Sequence, residues 1–135
     1  MSEKDRNYPP LRYFKRIEFE CPLAKDGGEN MDASFLQKLD KAREMANIPF
    51  KINSGYRSPA HNTAVGGVKN SSHMNIPCNA ADISARSSRE KFLILVSLMA
   101  QGFTRFGIGE TFIHVDSDDT KNGGDKSPNV IWDYY

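Results

Sequence analysis

Cysteine is scarce: Cys21 and Cys78 are the only two in a chain of 135 residues. Two cannot build the disulfide framework that small secreted domains use in place of a large core, so free thiols are expected. An excess of charge of either sign is also missing. Lys and Arg number 18 against 17 Asp and Glu, a net charge of +1. No run of Lys or Arg is long enough to make the basic face that nucleic acid requires, so no nucleic-acid partner is expected. Long apolar runs are lacking too. The longest, Phe92-Leu93-Ile94-Leu95-Val96, falls far short of a bilayer, which excludes a helical membrane span. The opening stretch MSEKDRNYPPLRYF is polar and holds no signal-peptide apolar segment, which predicts a product made in the cytoplasm without a signal peptide. What is present, 39% hydrophobic and 26% charged residues, is the composition of one ordinary globular domain.

Residues 1–16 read as a flexible, charged arm stiffened by Pro9-Pro10, ahead of a domain over 17–135. Asp32 is a ready N-cap, and Phe35, Leu36, Leu39, Ala42, Met45 and Ala46 recur at helical spacing. They predict a helix over 33–46, ended by Asn47 and Pro49. A strand at 50–53, a turn at 54–59 and a short helix at 60–65, stopped by Gly66-Gly67, follow. Residues 68–79 read as a loop and 80–83 as a brief strand, and Ser87 or Ser88 caps a helix to about 101. Strands are predicted at 103–108 and 111–115, around Gly109-Glu110, with a last one at 129–134. This order predicts an α+β domain with a mostly antiparallel central sheet flanked by helices.

The chain has three histidines, His61, His73 and His114. His114 lies in Phe112-Ile113-His114-Val115-Asp116. Side chains alternate along a strand, so His114 and Asp116 share one face while Ile113 and Val115 point to the core. His73 follows Ser71-Ser72 in a loop, and Asp82 lies in the next short strand. Two histidines and one carboxylate are a ligand set used for catalytic zinc with an open fourth position. By spacing alone, a His-x-Asp pair on a strand equally describes a surface pair.

Four segments together resemble the zinc D-alanyl-D-alanine carboxypeptidase family: Ser54-Gly55-Tyr56-Arg57-Ser58-Pro59-Ala60-His61-Asn62-Thr63-Ala64-Val65-Gly66-Gly67, then Ser71-Ser72-His73, then Ala80-Ala81-Asp82, then Phe112-Ile113-His114-Val115-Asp116. The tail Asn129-Val130-Ile131-Trp132 is similar to endings of phage and prophage members. The resemblance implies a Hedgehog/DD-peptidase-like fold, and a monomer is expected. It implies Zn2+ held by His73, Asp82 and His114, and hydrolysis of an amide in peptidoglycan stem peptides. It implies that Arg57 contacts the substrate carbonyl or its transition state, with Ser54 and Tyr56 beside it as substrate-binding residues. A guanidinium suits that role, because its fixed fork can hold an oxyanion or carboxylate bidentately. His61 is not assigned to the metal and is expected to orient a neighbour. The expected place of action is the cell wall after release, or a virion.

The chain departs from the family in two places. Eight residues separate His73 from Asp82 where the family has six. The extra length can be taken up as a bulge, or it can bring Cys78 to the metal. Several relatives also carry an acid three residues before the distal His, where this chain has Thr111. The candidates for general base are then Asp116, favoured because a strand interior fixes it, and Glu110, at the turn but on the same face by parity. The other role open to Asp116 is support of a ligand imidazole. A chain with ligands but no competent base would be a zinc-containing binding or phage structural module, as the Hedgehog signalling domain keeps zinc on this scaffold but works by binding.

Overall fold

Strands β1 (Ile52–Ser54), β2 (Ala80–Ser84), β3 (Arg105–Ile108), β4 (Phe112–Asp116) and β5 (Val130–Asp133) form one sheet in the order β1-β2-β4-β3-β5. Among the described residues three α-helices accompany it: α1 (Ala33–Ala46), α2 (Pro59–Ala64) and α3 (Ser88–Ala100). The structure is a computed structural model and describes residues 10–23, 27–118 and 127–134. The class is α+β, as expected, and every pairing is antiparallel except β3 with β5. That parallel pair departs from a simple succession of hairpins. A tight turn forces antiparallel pairing, whereas the long connection from β4 lets the last strand reach β3 in either sense.

Local chemistry sets the helices. The Asp32 carboxylate accepts the Phe35 N–H at 2.8 Å, and Asn47 closes α1 in the left-handed region at φ 56. Phe35, Leu36, Leu39, Ala42 and Ala46 are buried, but Met45 is 55% exposed and drops out of the expected stripe. Ser58 and Ser87 cap α2 and α3 in the same way as Asp32. Helices α1 and α3 pack together and share a core with Ala81, Ile83, Phe106, Ile113 and Val115. Burying each larger aliphatic or aromatic side chain contributes about 1.5–3 kcal/mol. These strand residues define an apolar sheet face. Asp82 and His114 stand directly across from each other in the β2–β4 ladder, one residue out of step with the apolar set and so on the opposite face.

One segment differs from its sequence reading, and a second follows one of the two alternatives the sequence left open. Residues 11–16, read as the end of a flexible arm, belong to the domain. Phe14 is buried with its ring 5.4 Å from that of Phe19, and the Arg12 and Tyr13 N–H groups donate to the Asp40 carboxylate at 3.0 and 2.9 Å. One aromatic anchor inside a charged stretch is easily averaged away when composition is read. Residues 1–9 lie outside the described residues. The longer His73–Asp82 connection is absorbed away from the site: the Cys78 N–H donates to Asn30 O and the Asp32 N–H to Cys78 O, so the extra residues dock on the segment before α1. Among the described residues no helix is long and apolar enough to cross a membrane.

Candidate metal centre

Strand register and one loop bring His73, Asp82 and His114 together. His114 Nδ1 lies 2.8 Å from Asp82 Oδ1, and His73 Nε2 lies 3.2 Å from Asp82 Oδ1 and 3.3 Å from His114 Nδ1. Tetrahedral zinc with bonds of about 2.0–2.1 Å spaces its ligand atoms roughly 3.3 Å apart, so the donor set fits a small cation. The triad lies in an open cavity of about 560 Å³, lined also by Arg57, Arg105, Asp116, the 65–68 rim and the aromatics Phe112, Trp132 and Tyr134.

The outer nitrogens of both imidazoles are held. His73 Nδ1 is 2.6 Å from Gly55 O, a carbonyl that can only accept, so Nδ1 carries the proton and Nε2 is left to donate its lone pair. His114 Nε2 is 2.7 Å from Asp116 Oδ2, which turns Nδ1 toward the triad. Asp116 is itself fixed, its Oδ1 accepting Arg105 Nε at 2.6 Å and the Asp118 N–H at 3.0 Å. Burial acts to raise the Asp116 pKa, but the His114 hydrogen bond and charge, Arg105 and the Asp118 amide outweigh it and hold the carboxyl below its ordinary value. Asp82 follows the same pattern more strongly: burial raises it, and bonds from His114 and His73 bring it well below the carboxylate range. For His114 burial acts downward, yet hydrogen bonds to Asp116 and Asp82 push it up to about 9.

A family model described as Peptidase M15 matches residues 12–116, a span that includes all three triad residues and Arg57. The chain belongs to the peptidase M15 family. No curated relative matches it. M15 peptidases are metal-dependent, and this member carries a His-Asp-His cluster whose ligand atoms are close enough together to hold a metal ion.

The other expected site residues of this M15 peptidase divide. Arg57 lines the cavity, donating from Nε to Ser54 Oγ at 3.1 Å, from Nη1 to Asn62 Oδ1 at 2.9 Å and from Nη2 to Asp82 Oδ2 at 3.3 Å. Ser54 stands behind Arg57 as its acceptor and does not line the cavity. Tyr56 is buried in the hydrophobic core and does not line the cavity either, whereas Arg57 does. Glu110 is exposed outside the cavity. The parity argument needed β4 to start at Glu110, and it starts at Phe112. Asp116 is in the site, but its oxygens are committed to His114, Arg105 and the Asp118 amide, the arrangement of a ligand support rather than a free base. Cys78 is a buried free thiol directed at the carbonyls of His73 and Ala80, 3.6 and 3.7 Å away, and burial pushes its pKa up to about 12. His61 is partly exposed in α2, away from the cavity.

Sequence reasoning missed Arg105 and the aromatic wall. Arg105 opens β3, 5.3 Å over the Trp132 ring, and Trp132 lies 5.6 Å from the His114 ring. Gly107 makes this possible: a Cβ there would sit 2.6 Å from Trp132 Nε1 and from the Tyr134 ring. The available signal was parity, since Trp132 on β5 and Tyr134 just past its end are two residues apart, as Phe112 and His114 are on β4.

Proposed function

We propose that the chain is a zinc-dependent peptidase that hydrolyses an amide bond in the stem peptides of bacterial peptidoglycan, as a D-alanyl-D-alanine carboxypeptidase or a related endolysin-type endopeptidase. The observation that carries this reading is the open triad. Three donors converge on one point, both imidazoles are held by their outer nitrogens, and no fourth His, Cys, Asp or Glu joins them among the described residues. Structural zinc sites close with four protein ligands, whereas catalytic ones use three. Two imidazoles favour zinc over magnesium or calcium, which take oxygen. Zinc in such a site supplies Lewis acidity toward a carbonyl and toward water.

The chain's own residues would do the rest. Three of the five Arg57 N–H groups are spent on Ser54, Asn62 and Asp82, leaving two to meet a carbonyl oxygen or carboxylate in the cavity. Phe112, Trp132 and Tyr134 would shield the opposite side from water. The stem-peptide substrate is supported by the four family segments and by a cavity of a size that accepts a short peptide. Such a substrate lies outside the cytoplasm, so the chain would meet it after release or from a virion.

The test is digestion of purified peptidoglycan with and without chelator, read by mass spectrometry of the muropeptides. A new amine terminus or released D-alanine that disappears with chelator and returns with zinc is the expected result. Intact muropeptides from protein carrying a full complement of zinc would overturn it. One observation favours a second reading, a zinc-containing binding module. Among the described residues, the only carboxylates lining the cavity are Asp82 and Asp116, and both are engaged. On that reading the zinc-loaded protein is retained on peptidoglycan without cutting it.

A further inference from the structure

We infer that Asn62 is the positioning residue for Arg57, locking its guanidinium to the 66–68 rim of the cavity. The inference rests on the reading above that Arg57 serves the substrate.

Asn62 is only 3% exposed, although α2 is a single short helix whose next residues, Thr63 and Ala64, are exposed. A buried amide is costly unless both of its ends are bonded. Both are. Oδ1 accepts Arg57 Nη1 at 2.9 Å, and Nδ2 donates to Val68 O at 2.9 Å. Chemistry decides which end is which, because a guanidinium only donates and a carbonyl only accepts. The Asn62 backbone carbonyl also receives the Gly67 N–H at 2.8 Å, so this residue ties the rim twice.

The rim in turn lies against the amide–guanidinium contact. A Cβ on Gly67 would fall 2.1 Å from Asn62 Oδ1 and 2.8 Å from Arg57 Nη1. Ser54 holds the fork at Nε and Asp82 holds it at Nη2. The Asn62 contact connects the fork to the rim residues Gly67 and Val68, which line the cavity. A planar fork aimed from three sides delivers its free N–H groups in one direction, and small misplacements of such a group are expensive in rate.

The experiment compares wild type with Asn62→Ala, Asn62→Asp and Gly67→Ala in the zinc-loaded full chain. The activity-independent readout is nitrogen-15 NMR of the Arg57 side chain, reporting Nε–H exchange and rotation of the guanidinium. Slow exchange is expected in wild type. It should be lost in Asn62→Ala, which removes the acceptor, and in Gly67→Ala, which pushes the amide aside. It should persist in Asn62→Asp, which keeps an acceptor toward Arg57. Zinc content should stay at the wild-type level in all three. On peptidoglycan, kcat should fall about 100-fold in Asn62→Ala with KM nearly unchanged, the cost of misaligning a group by about 1 Å. An Arg57 signal as slow as wild type in both Asn62→Ala and Gly67→Ala would make Asn62 a structural residue only and overturn the inference. Asn62→Asp and Gly67→Ala keep the question decidable if Asn62→Ala fails to fold. A wild type that cuts no peptidoglycan would remove the proposed function, while the NMR comparison would still decide what Asn62 does.

Discussion

Asp82 and His114 reach the triad from adjacent strands, directly across the β2–β4 ladder, whereas His73 reaches it from a 3-10 turn at Ser72–Met74 in the connection before β2. The two flanks are held by different physics. Register alone puts opposite Cβ atoms about 4.5–5.5 Å apart, so the strand pair is near ligand spacing once the sheet forms. The loop ligand needs separate ties: the Arg57 N–H to His73 O at 2.8 Å, the His73 N–H to Ser71 Oγ and His73 Nδ1 to Gly55 O. The segment Ser54–Arg57 therefore does two jobs, placing Arg57 in the cavity and clasping the backbone and ring of His73.

The comparison breaks most completely at His114. His114→Ala should drop metal content from about one ion per chain to almost none, measured by elemental analysis after desalting, because two protein ligands no longer make a catalytic zinc site. Full occupancy in that variant would mean that the ladder does not carry the metal. Next comes pH. With His114 pushed up to about 9, a cation must displace a proton below that pH. Apparent zinc affinity should therefore climb by about tenfold per pH unit from 6 toward 9 and then level off, as competition for one site requires. A flat titration over that range would remove His114 Nδ1 from the ligand set.

Asp116→Asn sharpens the distinction between ligand support and base. Loss of the carboxylate behind His114 should weaken zinc by about 10–100-fold, the usual cost of removing such a partner, and turnover should return at saturating zinc. A rate still down by orders of magnitude at full occupancy would restore Asp116 as the base. The smallest effect is expected on the loop flank. Cys78→Ser keeps a donor toward the same carbonyls, and backbone bonds dock that loop, so zinc affinity should stay within about twofold; a sharp fall would make Cys78 a ligand after all. In the folded wild type, a thiol pushed up to about 12 should resist iodoacetamide at pH 8.

Much of this was legible because it is periodic or motif-bound. Helix α1 runs over the residues that its Asp32 cap and apolar spacing predict, and alternation in β4 separates Ile113 and Val115 from His114 and Asp116. Tyr56 and Glu110 misled for different reasons. Tyr56 was placed beside Arg57 by adjacency in the chain, which does not encode side-chain direction, and Glu110 by extending strand parity beyond the start of β4 at Phe112. Arg105 and Asn62 went unread because their partners lie 11 and 5 residues away, across a strand pairing and a helical turn, and neither pattern marks them as polar residues with something to hold.

By itself, then, the sequence determined the class of fold, because hydrophobic period and capping chemistry are local properties of residues, while its resemblance to a known family singled out His73, Asp82, His114 and Arg57. Only the tertiary structure decided which nitrogen of each imidazole faces the triad, that Asp116 is bound to Arg105 rather than free, and that the extra residues before Asp82 dock on the segment before α1. Those outcomes depend on which buried hydrogen-bonding groups meet. Burial makes an unpaired polar group expensive, so the final pairing is chosen by the whole packed interior rather than by any stretch of chain.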